Sequence, residues 1–571
     1  MILQALNRLY EDLTSQEKLA RPGWGKTKVS YALCIDPDGR LKQVVPLLED
    51  TGGKKPQAQQ FNLPAAVKRT VGIAPNFLWD NSSYFLGTDE KGKPERSKSC
   101  FEACRELHHR LLDSVNTPAS QAVLRFFDQW DPLRTRSHPA LQEELAGVLS
   151  GGNLIFRCQG SYVHEDPAVR DAWQSYYDQA EGDKRQCLVS GRVDVIESVH
   201  PAVKGVAGAQ SSGAALVSFN APAFCSYGQE QNYNAPVGKQ AAFAYTAALN
   251  CLLADKNAVQ RIGDTTVVCW AEGAEPQYQA VSLAALFGAP TPQGWTENDL
   301  YAAVRRLAKG LPVEELDPGR PFYILGLAPN AARLSVRFFY RDTFGKLMKN
   351  INDHHRRMEI VRPDFDPYPV LPLWAMLRET ANQKARDKSP SPVMAGATAR
   401  AIFTGGLYPA ALLENTILRI RAERDINRGK AAILKAYYLR NPHEGCPEEV
   451  LQVALNESST NPAYTLGRLF SLYEAIQPAA NPGINTTIKD KYFNSAASIP
   501  AAIFPILNNL SQKHLRKLEK GQSIWFEKQV LALADILGEE YPPRLTLAQQ
   551  GSFYLGYYHQ TQKRYEKKEE K

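Results

Sequence analysis

The most restrictive feature of this sequence is a change in its hydrophobic pattern near residue 345. Before that point, strand-like runs such as TTVVCW at residues 265–270 alternate with helical segments such as residues 295–310. From residue 395 onward, apolar residues recur at helical spacing, interrupted by Pro, Gly and Asn. Strands and helices pack in layers, whereas consecutive helices pack on one another. The sequence therefore predicts an α+β fold, with an N-terminal mixed α/β domain followed by an all-α helical bundle.

Length and spacing predict several domains. A chain of 571 residues exceeds the size at which a single hydrophobic core stops growing. The proline-rich residues 363–372 and the polar run KARDKSPSP at residues 384–392 are typical of joints between domains. We therefore predict an α+β domain at residues 1–345, a connector at 346–394, a helical segment at 395–480 and a helical bundle at 481–571.

Composition argues against a membrane or secreted protein. No apolar run reaches the length of a bilayer span, and the N-terminal residues MILQALNRLYEDL lack the basic start of a signal peptide. The 9 cysteines are scattered without paired spacing, which indicates reduced thiols and a cytoplasmic location. A net charge of +7 is modest for this length, so a surface for polyanions must come from local basic clusters.

No catalytic constellation is complete in this sequence. The tripeptide Gly25-Lys26-Thr27 resembles the end of a P-loop, but position 20 holds Ala where a P-loop needs Gly. Ser211 lacks the first Gly of a nucleophile elbow. Residues 354–357 (HHRR) point in different directions on a helix and favour a basic surface over a nuclease site. We therefore expect a binding protein and not an enzyme.

One row of possible metal ligands also fails on geometry. Cys100, Cys104 and His108 share one face of a predicted helix over residues 99–115. A tetrahedral site needs a fourth ligand, and a row along a helix spreads too far for that geometry. A buried face of small residues is the better interpretation, and we expect neither metal nor cofactor.

Residues 200–253 combine a glycine–serine loop with a short apolar run. Glycines at 205, 208 and 213 surround Gln210, Ser211 and Ser212, which favours an irregular backbone that approaches a ligand closely. A phosphate cradle and a plain connecting loop both fit this pattern. Residues 214–219 are predicted to form a buried strand. A polar loop with Phe224, Tyr227 and Tyr233 follows, and a helix begins near Pro236.

Residues 76–84 combine amide and aromatic side chains. Asn76 and Asn81 are suited to reading base edges, and Phe77 or Trp79 to wedging between bases. The alternative is a capped turn that packs on a core through the two aromatic rings.

Four stretches resemble a known family. They are GIAPNFLWDNSSYFLG at residues 72–87, HPAVKGVAGAQSSGAALVSFNAPAF at 200–224, FYILGLAPNAARLSVRFFY at 322–340, and KYFNSAASIPAAIFP with QGSFYLGYYHQ near the end. Together they resemble the large subunit of the type I-C CRISPR interference complex, Cascade, and the resemblance runs from Leu3 to about Arg564.

The resemblance implies a role in an RNA-guided complex. In such complexes the guide RNA reads the target, and a protein subunit reads the short flanking motif (the PAM) on the duplex. The implied partners are the guide RNA complex, repeated backbone subunits, the subunit that holds the guide handle, small subunits, target double-stranded DNA and a helicase-nuclease. The family also implies that residues 481–571 are similar to a small subunit. The resemblance further implies that a separate small subunit can be made from an internal translation start. Such a start near Val450 would have to use a codon other than AUG, because no Met follows Met394.

We assign candidate roles by residue chemistry. Basic side chains are suited to phosphates, amides and hydroxyls to base edges, and a basic helical surface to the displaced strand. The phosphate contacts are Lys54, Lys55, Lys68, Arg69 and Lys204; the base readers are Asn76, Asn81, Gln210, Ser211 and Ser212; the wedge is Phe77 or Trp79; and the strand guide is Lys513, Arg516, Lys517 and Lys520.

Two alternatives belong to other classes of protein. The chain could be a purely architectural subunit whose motifs pack against neighbouring proteins and guide RNA. It could also be a cryptic nuclease that uses an acidic residue such as Asp353.

Overall fold

The chain forms two compact units. The computed structural model describes residues 1–49, 57–67, 72–90, 93–179, 182–255, 258–538 and 540–566. The first unit consists of Leu3–Pro201 and Ser218–Ala248, and the second of Ala202–Val217 and Leu249–Lys571. Residues 200–253 thus contribute to both units. Strands and helices mix up to Thr343, and the described chain beyond it is helical, which confirms the predicted α+β class.

Within its described residues, the first unit combines helices with three small sheets. Its helices are α1 (Ile2–Ser15), α2 (Ser82–Phe85), α3 (Pro94–Leu112), α4 (Pro118–Gln129), α5 (Leu145–Leu149) and α6 (Pro167–Asp178), and α7 (Lys239–Ala254) begins in this unit and ends in the second. Its strands are β1 (Trp24–Val29), β2 (Tyr31–Ile35), β3 (Leu41–Pro46), β4 (Leu48–Glu49), β5 (Gln57–Pro64), β6 (Trp79–Asp80), β7 (Leu154–Cys158), β8 (Ser161–Tyr162), β9 (Lys184–Gln186) and β10 (Val193–Val195).

The five-stranded sheet of the first unit is built around β2 and β7. Strand β2 pairs antiparallel with β3 across the turn at Gly39, and parallel with β7. Strand β1 instead pairs with β5, in a register that sets Trp24 opposite Pro64. Aromatic rings fill the core beside the sheet, and Phe85 stacks on Phe156 with ring centroids 4.5 Å apart. The core therefore joins the segment 72–87 to the central strands.

The second unit places helices around one antiparallel sheet and then continues as a bundle. Its strands, in spatial order, are β11 (Gln260–Ile262), β12 (Thr265–Ala271), β13 (Pro321–Asn330) and β14 (Arg333–Thr343). Its helices are α8 (Pro276–Phe287), α9 (Glu297–Ala308), α10 (Phe344–Met358), α11 (Leu373–Arg378), α12 (Pro392–Thr404), α13 (Ala410–Glu423), α14 (Arg428–Arg440), α15 (Pro462–Ala480), α16 (Ile488–Ala496), α17 (Pro500–Leu515), α18 (Lys520–Leu537) and α19 (Leu547–Tyr565).

Among the described residues of the second unit, a hydrophobic core runs from the sheet into the bundle. Ile324 on β13, Met348 on α10 and Phe553 on α19 belong to the same buried cluster. Most of α10 and all of α11 lie within the predicted connector, and Ile351 of α10 is buried in that core. The division at residues 345, 394 and 480 stays a prediction. No helix in the described ranges is both long and apolar enough to cross a bilayer.

Candidate nucleic-acid interface

Residues 204–213 form a closed loop in the second unit. At its base, Val203 and Ala214 exchange two backbone hydrogen bonds of 2.9 Å each. The Asn250 side chain on α7 accepts a hydrogen bond from the N–H of Lys204 at 2.8 Å. The loop therefore leaves and re-enters the fold at fixed points.

Three glycines set the path of this loop. Gly205, Gly208 and Gly213 have φ angles of +91°, +78° and +98°, which side chains with a Cβ rarely adopt. At Gly213 a Cβ would also lie 2.8 Å from the carbonyl oxygen of Val203. The predicted irregular glycine backbone is thus present, and its last glycine is required by a close backbone approach.

The tip of the loop presents polar side chains. The N–H of Gly213 donates to the carbonyl of Gln210 at 2.9 Å and closes a tight turn. Gln210, Ser211 and Ser212 are all exposed, and their side chains make no hydrogen bond to another described residue. One amide and two hydroxyl groups are therefore free to bind a ligand.

The strand predicted over residues 214–219 is wrong. Only isolated bridges form there, and Ala215 lies beside Arg333 at the start of β14. The N–H of Ala215 donates to the carbonyl of Ala332 at 3.0 Å, and the N–H of Leu334 donates to that of Ala215 at 2.9 Å. The apolar run is thus a short attachment to the edge of the sheet, because only its first residues find a backbone partner.

The aromatic residues of the segment 72–87 lie in the core of the first unit. Phe77 is 1% exposed and stacks on Trp173 with ring centroids 5.5 Å apart. Trp79 is 6% exposed, and its indole N–H donates to the carbonyl of Pro64 at 2.7 Å. Neither ring offers a face to a base in this conformation. The wedge assignment of Phe77 or Trp79 is therefore corrected, since the geometry matches the alternative of a turn packed on a core.

The two asparagines of this segment hold its backbone. The side-chain oxygen of Asn76 accepts a hydrogen bond from the N–H of Val67 at 2.9 Å. The backbone N–H of Asn76 donates to the carboxylate of Asp80 at 2.9 Å. Asn81 caps α2 by accepting from the N–H of Ser83 at 3.0 Å. Asn76 is buried and leaves the candidate interface, whereas a reading role for half-buried Asn81 stays a prediction.

His108 has a structural role in the same core. Its Nε2 accepts from the N–H of Leu78 at 3.0 Å, which places the ring proton on Nδ1, 2.7 Å from the carbonyl oxygen of Cys104. Burial lowers the pKa of His108 to about 4, so the ring is neutral at pH 7. Within the described ranges no three His, Cys, Asp or Glu side chains are arranged to hold a metal.

The predicted phosphate contacts are only partly placed. Lys54, Lys55, Lys68 and Arg69 lie outside the described residues, and their role stays a prediction. Lys204 is exposed at the base of the glycine loop and forms no ion pair with a described residue. It is the phosphate-binding candidate that lies beside the polar turn.

A basic cluster surrounds the turn between α17 and α18. All four predicted members are exposed, and the ammonium of Lys517 donates to the side-chain oxygen of Asn481 at 3.1 Å. The others form no ion pair with a described residue, so the cluster keeps its positive charge. Its members are Lys513, Arg516, Lys517 and Lys520.

Tyr227 is an exposed aromatic residue to which the sequence pattern assigns no role. Its side chain is 100% exposed, and its φ angle of +52° lies in the left-handed region. Asn234 orders the loop around it, accepting from the N–H of Ser226 at 2.7 Å and donating to the carbonyl of Gln229 at 3.0 Å. The signal in the sequence is an aromatic residue between serine and glycine in a polar loop.

The motif at residues 354–357 is not the uniform basic surface that we predicted. His354 is 1% exposed, and its Nδ1 lies 2.7 Å from the hydroxyl oxygen of Tyr408. Burial lowers the pKa of His354 well below its usual value. Arg356 is exposed, whereas Asp353 forms an ion pair of 2.6 Å with a lysine one turn earlier.

The fold and these surfaces together define the class to which the protein belongs. It is a large α+β protein that presents a polar loop shaped by glycines and carries a basic cluster on its C-terminal helices. The chain belongs to the family of CRISPR-associated proteins named Cas_Csd1, whose model matches residues 6–565. It is therefore a large subunit of a CRISPR Cascade complex, which confirms the resemblance. A comparison with curated proteins found no match.

Proposed function

We propose that this subunit reads the PAM on target double-stranded DNA through the turn at residues 210–212 and starts strand separation. The observation that carries the proposal is the exposed turn, whose amide and hydroxyls lack partners among the described residues. Amide and hydroxyl groups pair with base edges in either groove of a duplex. Lys204 at the base of the loop supplies a sequence-blind contact to phosphate.

Gln210 is the side chain that we expect to contact a base edge of the PAM. In the reconstituted guide complex, Gln210→Ala is expected to reduce the preference for PAM over scrambled flanks by about 10-fold, because one base-edge contact is lost. Binding to scrambled flanks is expected to stay unchanged, since that binding comes from phosphate contacts. The measurement is selection from duplexes with randomised flanks at fixed salt.

Two controls accompany this experiment, a variant of another exposed glutamine and a complex that lacks this chain. Gln240→Ala removes another exposed glutamine, on α7, and is expected to leave selection intact. Omitting the chain is expected to abolish selection. Flank selection that persists without the chain would instead favour the architectural alternative.

We further propose Tyr227 as the residue that opens the duplex, in place of Phe77 and Trp79. An exposed ring on an ordered loop can stack on a base at low entropic cost, and such stacking is worth about 1–3 kcal/mol per base. Tyr227→Ala is therefore expected to slow opening next to the PAM by about 10-fold while PAM binding is kept. Opening is followed by the fluorescence of 2-aminopurine in the first target base pairs.

The control for this variant is Tyr565→Ala, which removes a tyrosine that is 70% exposed at the end of α19. Its opening rate is expected to match that of the natural chain. An unchanged opening rate in Tyr227→Ala would remove that residue from the strand-opening role.

The remaining functions of the proposal follow from the family and from charge. The basic cluster at residues 513–520 guides the displaced strand, because a positive surface follows a single-strand backbone. The subunit lies next to the subunit holding the guide handle and helps to recruit the helicase-nuclease. It works in the cytoplasm and contributes binding, while cleavage belongs to that partner.

A further inference from the structure

A cleft of about 650 Å³ lies in the second unit, away from the glycine loop in sequence. It is lined by the irregular segment around Tyr368, by α11, by the turn between α13 and α14, and by Tyr558 on α19. Buried residues of α11, of the turn between α13 and α14, and of α19 belong to one hydrophobic cluster, which fixes the walls of the cleft. Nothing in the proposed reading of DNA uses it.

Two of the three basic side chains that line the cleft are held in ion pairs, whereas the third, Arg378, is exposed. Arg428 is buried, forms an ion pair of 3.1 Å with Asp366, and donates to the carbonyl of Pro369 at 2.9 Å. Lys430 is buried and forms an ion pair of 2.5 Å with Glu423. Separating such buried pairs is costly, because each partner would be left as a lone charge. Neither cation is therefore free to hold a phosphate.

One carboxylate in the cleft is not held in an ion pair with a described residue. Glu379 accepts a hydrogen bond of 2.7 Å from the amide of Asn427 and forms no ion pair with a described residue. Burial raises the pKa of Glu379, the amide of Asn427 and the nearby charge of Lys430 lower it, and the charges of Glu423 and Asp425 raise it again. The lining of the cleft carries four carboxylates, of Asp366, Glu379, Glu423 and Asp425, and three basic side chains, of Arg378, Arg428 and Lys430.

Aromatic rings stand at the rim of the same cleft. Phe365 is 88% exposed, Trp374 44% and Tyr368 39%, and all three line the cleft. Trp374 and Tyr368 meet edge to face with centroids 5.9 Å apart. Large rings exposed together in a concave surface mark a binding site. The faces of such rings attract cations.

We infer that this cleft receives an arginine side chain from an extended segment of another protein subunit. A guanidinium group is planar, stacks on aromatic rings and pairs with a carboxylate through two N–H groups. Trp374 and Tyr368 supply the rings, and Glu379 supplies the carboxylate. The unpaired carboxylate disfavours a nucleic-acid strand, since its phosphates would be repelled. The inference is independent of the proposed DNA reading.

The test uses the full chain and two fluorescein-labelled peptides. One is a five-residue peptide with a central arginine between glycine and serine residues, and the other has citrulline, its neutral analogue, in that place. Fluorescence anisotropy at low salt is expected to show at least about 10-fold tighter binding of the arginine peptide. Glu379→Gln and Trp374→Ala are each expected to weaken that binding by about 10-fold.

The controls match charge, ring and fold. Glu414→Gln removes an exposed carboxylate on α13, and Trp525→Ala removes a tryptophan that is 48% exposed on α18. Both are expected to bind the peptide as the natural chain does. Trp374→Tyr keeps an aromatic face and is expected to restore most of the binding. Unchanged thermal unfolding of each variant separates lost binding from misfolding.

Three results would overturn the inference. The first is equal binding of the arginine and citrulline peptides. The second is unchanged binding of the arginine peptide in Glu379→Gln. The third is a single-stranded thymidine decamer that displaces the peptide and itself binds more weakly to Trp374→Ala, which would make the cleft a nucleic-acid site.

Discussion

Gly467→Ala is expected to lower the free energy of unfolding by about 3 kcal/mol, because the helix crossing at this residue has no room for a side chain. Gly467 lies on α15 against α19, where a Cβ would overlap the carbonyl oxygen of Phe553 and lie 2.8 Å from the backbone nitrogen of Tyr557. Gly556 on α19 meets the backbone of Tyr464 in the same way. Helical backbone cannot rotate aside, so the two helices must separate.

Separation of these helices would also break buried polar contacts. The Tyr464 hydroxyl lies 2.8 Å from Nδ1 of His559, and the hydroxyls of Ser471 and Thr561 lie 2.8 Å apart. Each buried group that loses its partner costs about 1–3 kcal/mol. A single methyl group at this crossing therefore causes both a steric overlap and a loss of buried hydrogen bonds. For this reason we expect a large decrease in the free energy of unfolding.

The measurement is chemical unfolding followed by circular dichroism, with Gly396→Ala as the matched control. Gly396 lies inside α12, and no neighbouring atom lies within 4 Å of the place that a methyl group would take. Alanine there is expected to stabilise the chain by about 0.5–1 kcal/mol, because it restricts the unfolded state. Equal effects of the two substitutions would contradict the close helix crossing.

Hydrophobic periodicity was sufficient to predict the class of fold. The change near residue 345 marks the point where β14 gives way to α10. Apolar residues at helical spacing likewise predict helices of the bundle such as α13, whose buried residues are Leu412, Leu413, Thr416, Ile417 and Ile420. Such patterns record which face of an element is buried, and that is decided locally along the chain.

Burial by distant partners was not readable from the pattern. Phe77 and Trp79 have the composition of an exposed recognition turn, yet their partners are Trp173 and Pro64. Helix α15 begins at Pro462, directly after the Asn461 cap. Caps and long-range contacts override periodicity at such points.

In the candidate site, too, local features were predictable from the sequence and features that depend on distant residues were not. The irregular backbone of the glycine loop was predictable, because closely spaced glycines with polar neighbours favour it. The exposure of Tyr227 was not predictable, since it depends on which residues fail to cover the ring. The cleft around Glu379 was equally hidden, because its walls come from segments that are far apart in sequence.

Gly213→Val is expected to abolish PAM selection while the complex still assembles. Gly213 has a φ of +98°, and a Cβ there would lie 2.8 Å from the carbonyl oxygen of Val203 and 2.9 Å from the Cβ of Ala202. The left-handed backbone costs about 1–2 kcal/mol and the overlap about 1–3 kcal/mol. The two hydrogen bonds at the base of the loop contribute about 1 kcal/mol each. The loop is therefore expected to open and to displace Gln210.

Gly151→Val separates backbone strain from steric overlap in this test. Gly151 has a φ of +102°, but no neighbouring atom lies within 4 Å of the place that a Cβ would take. The same strain without the overlap is expected to leave PAM selection and assembly unchanged. The selection of randomised flanks by complexes with each variant gives the comparison. Full PAM selection by the Gly213→Val complex would show that the shape of this loop does not determine reading, and the recognition surface would then lie elsewhere on the subunit.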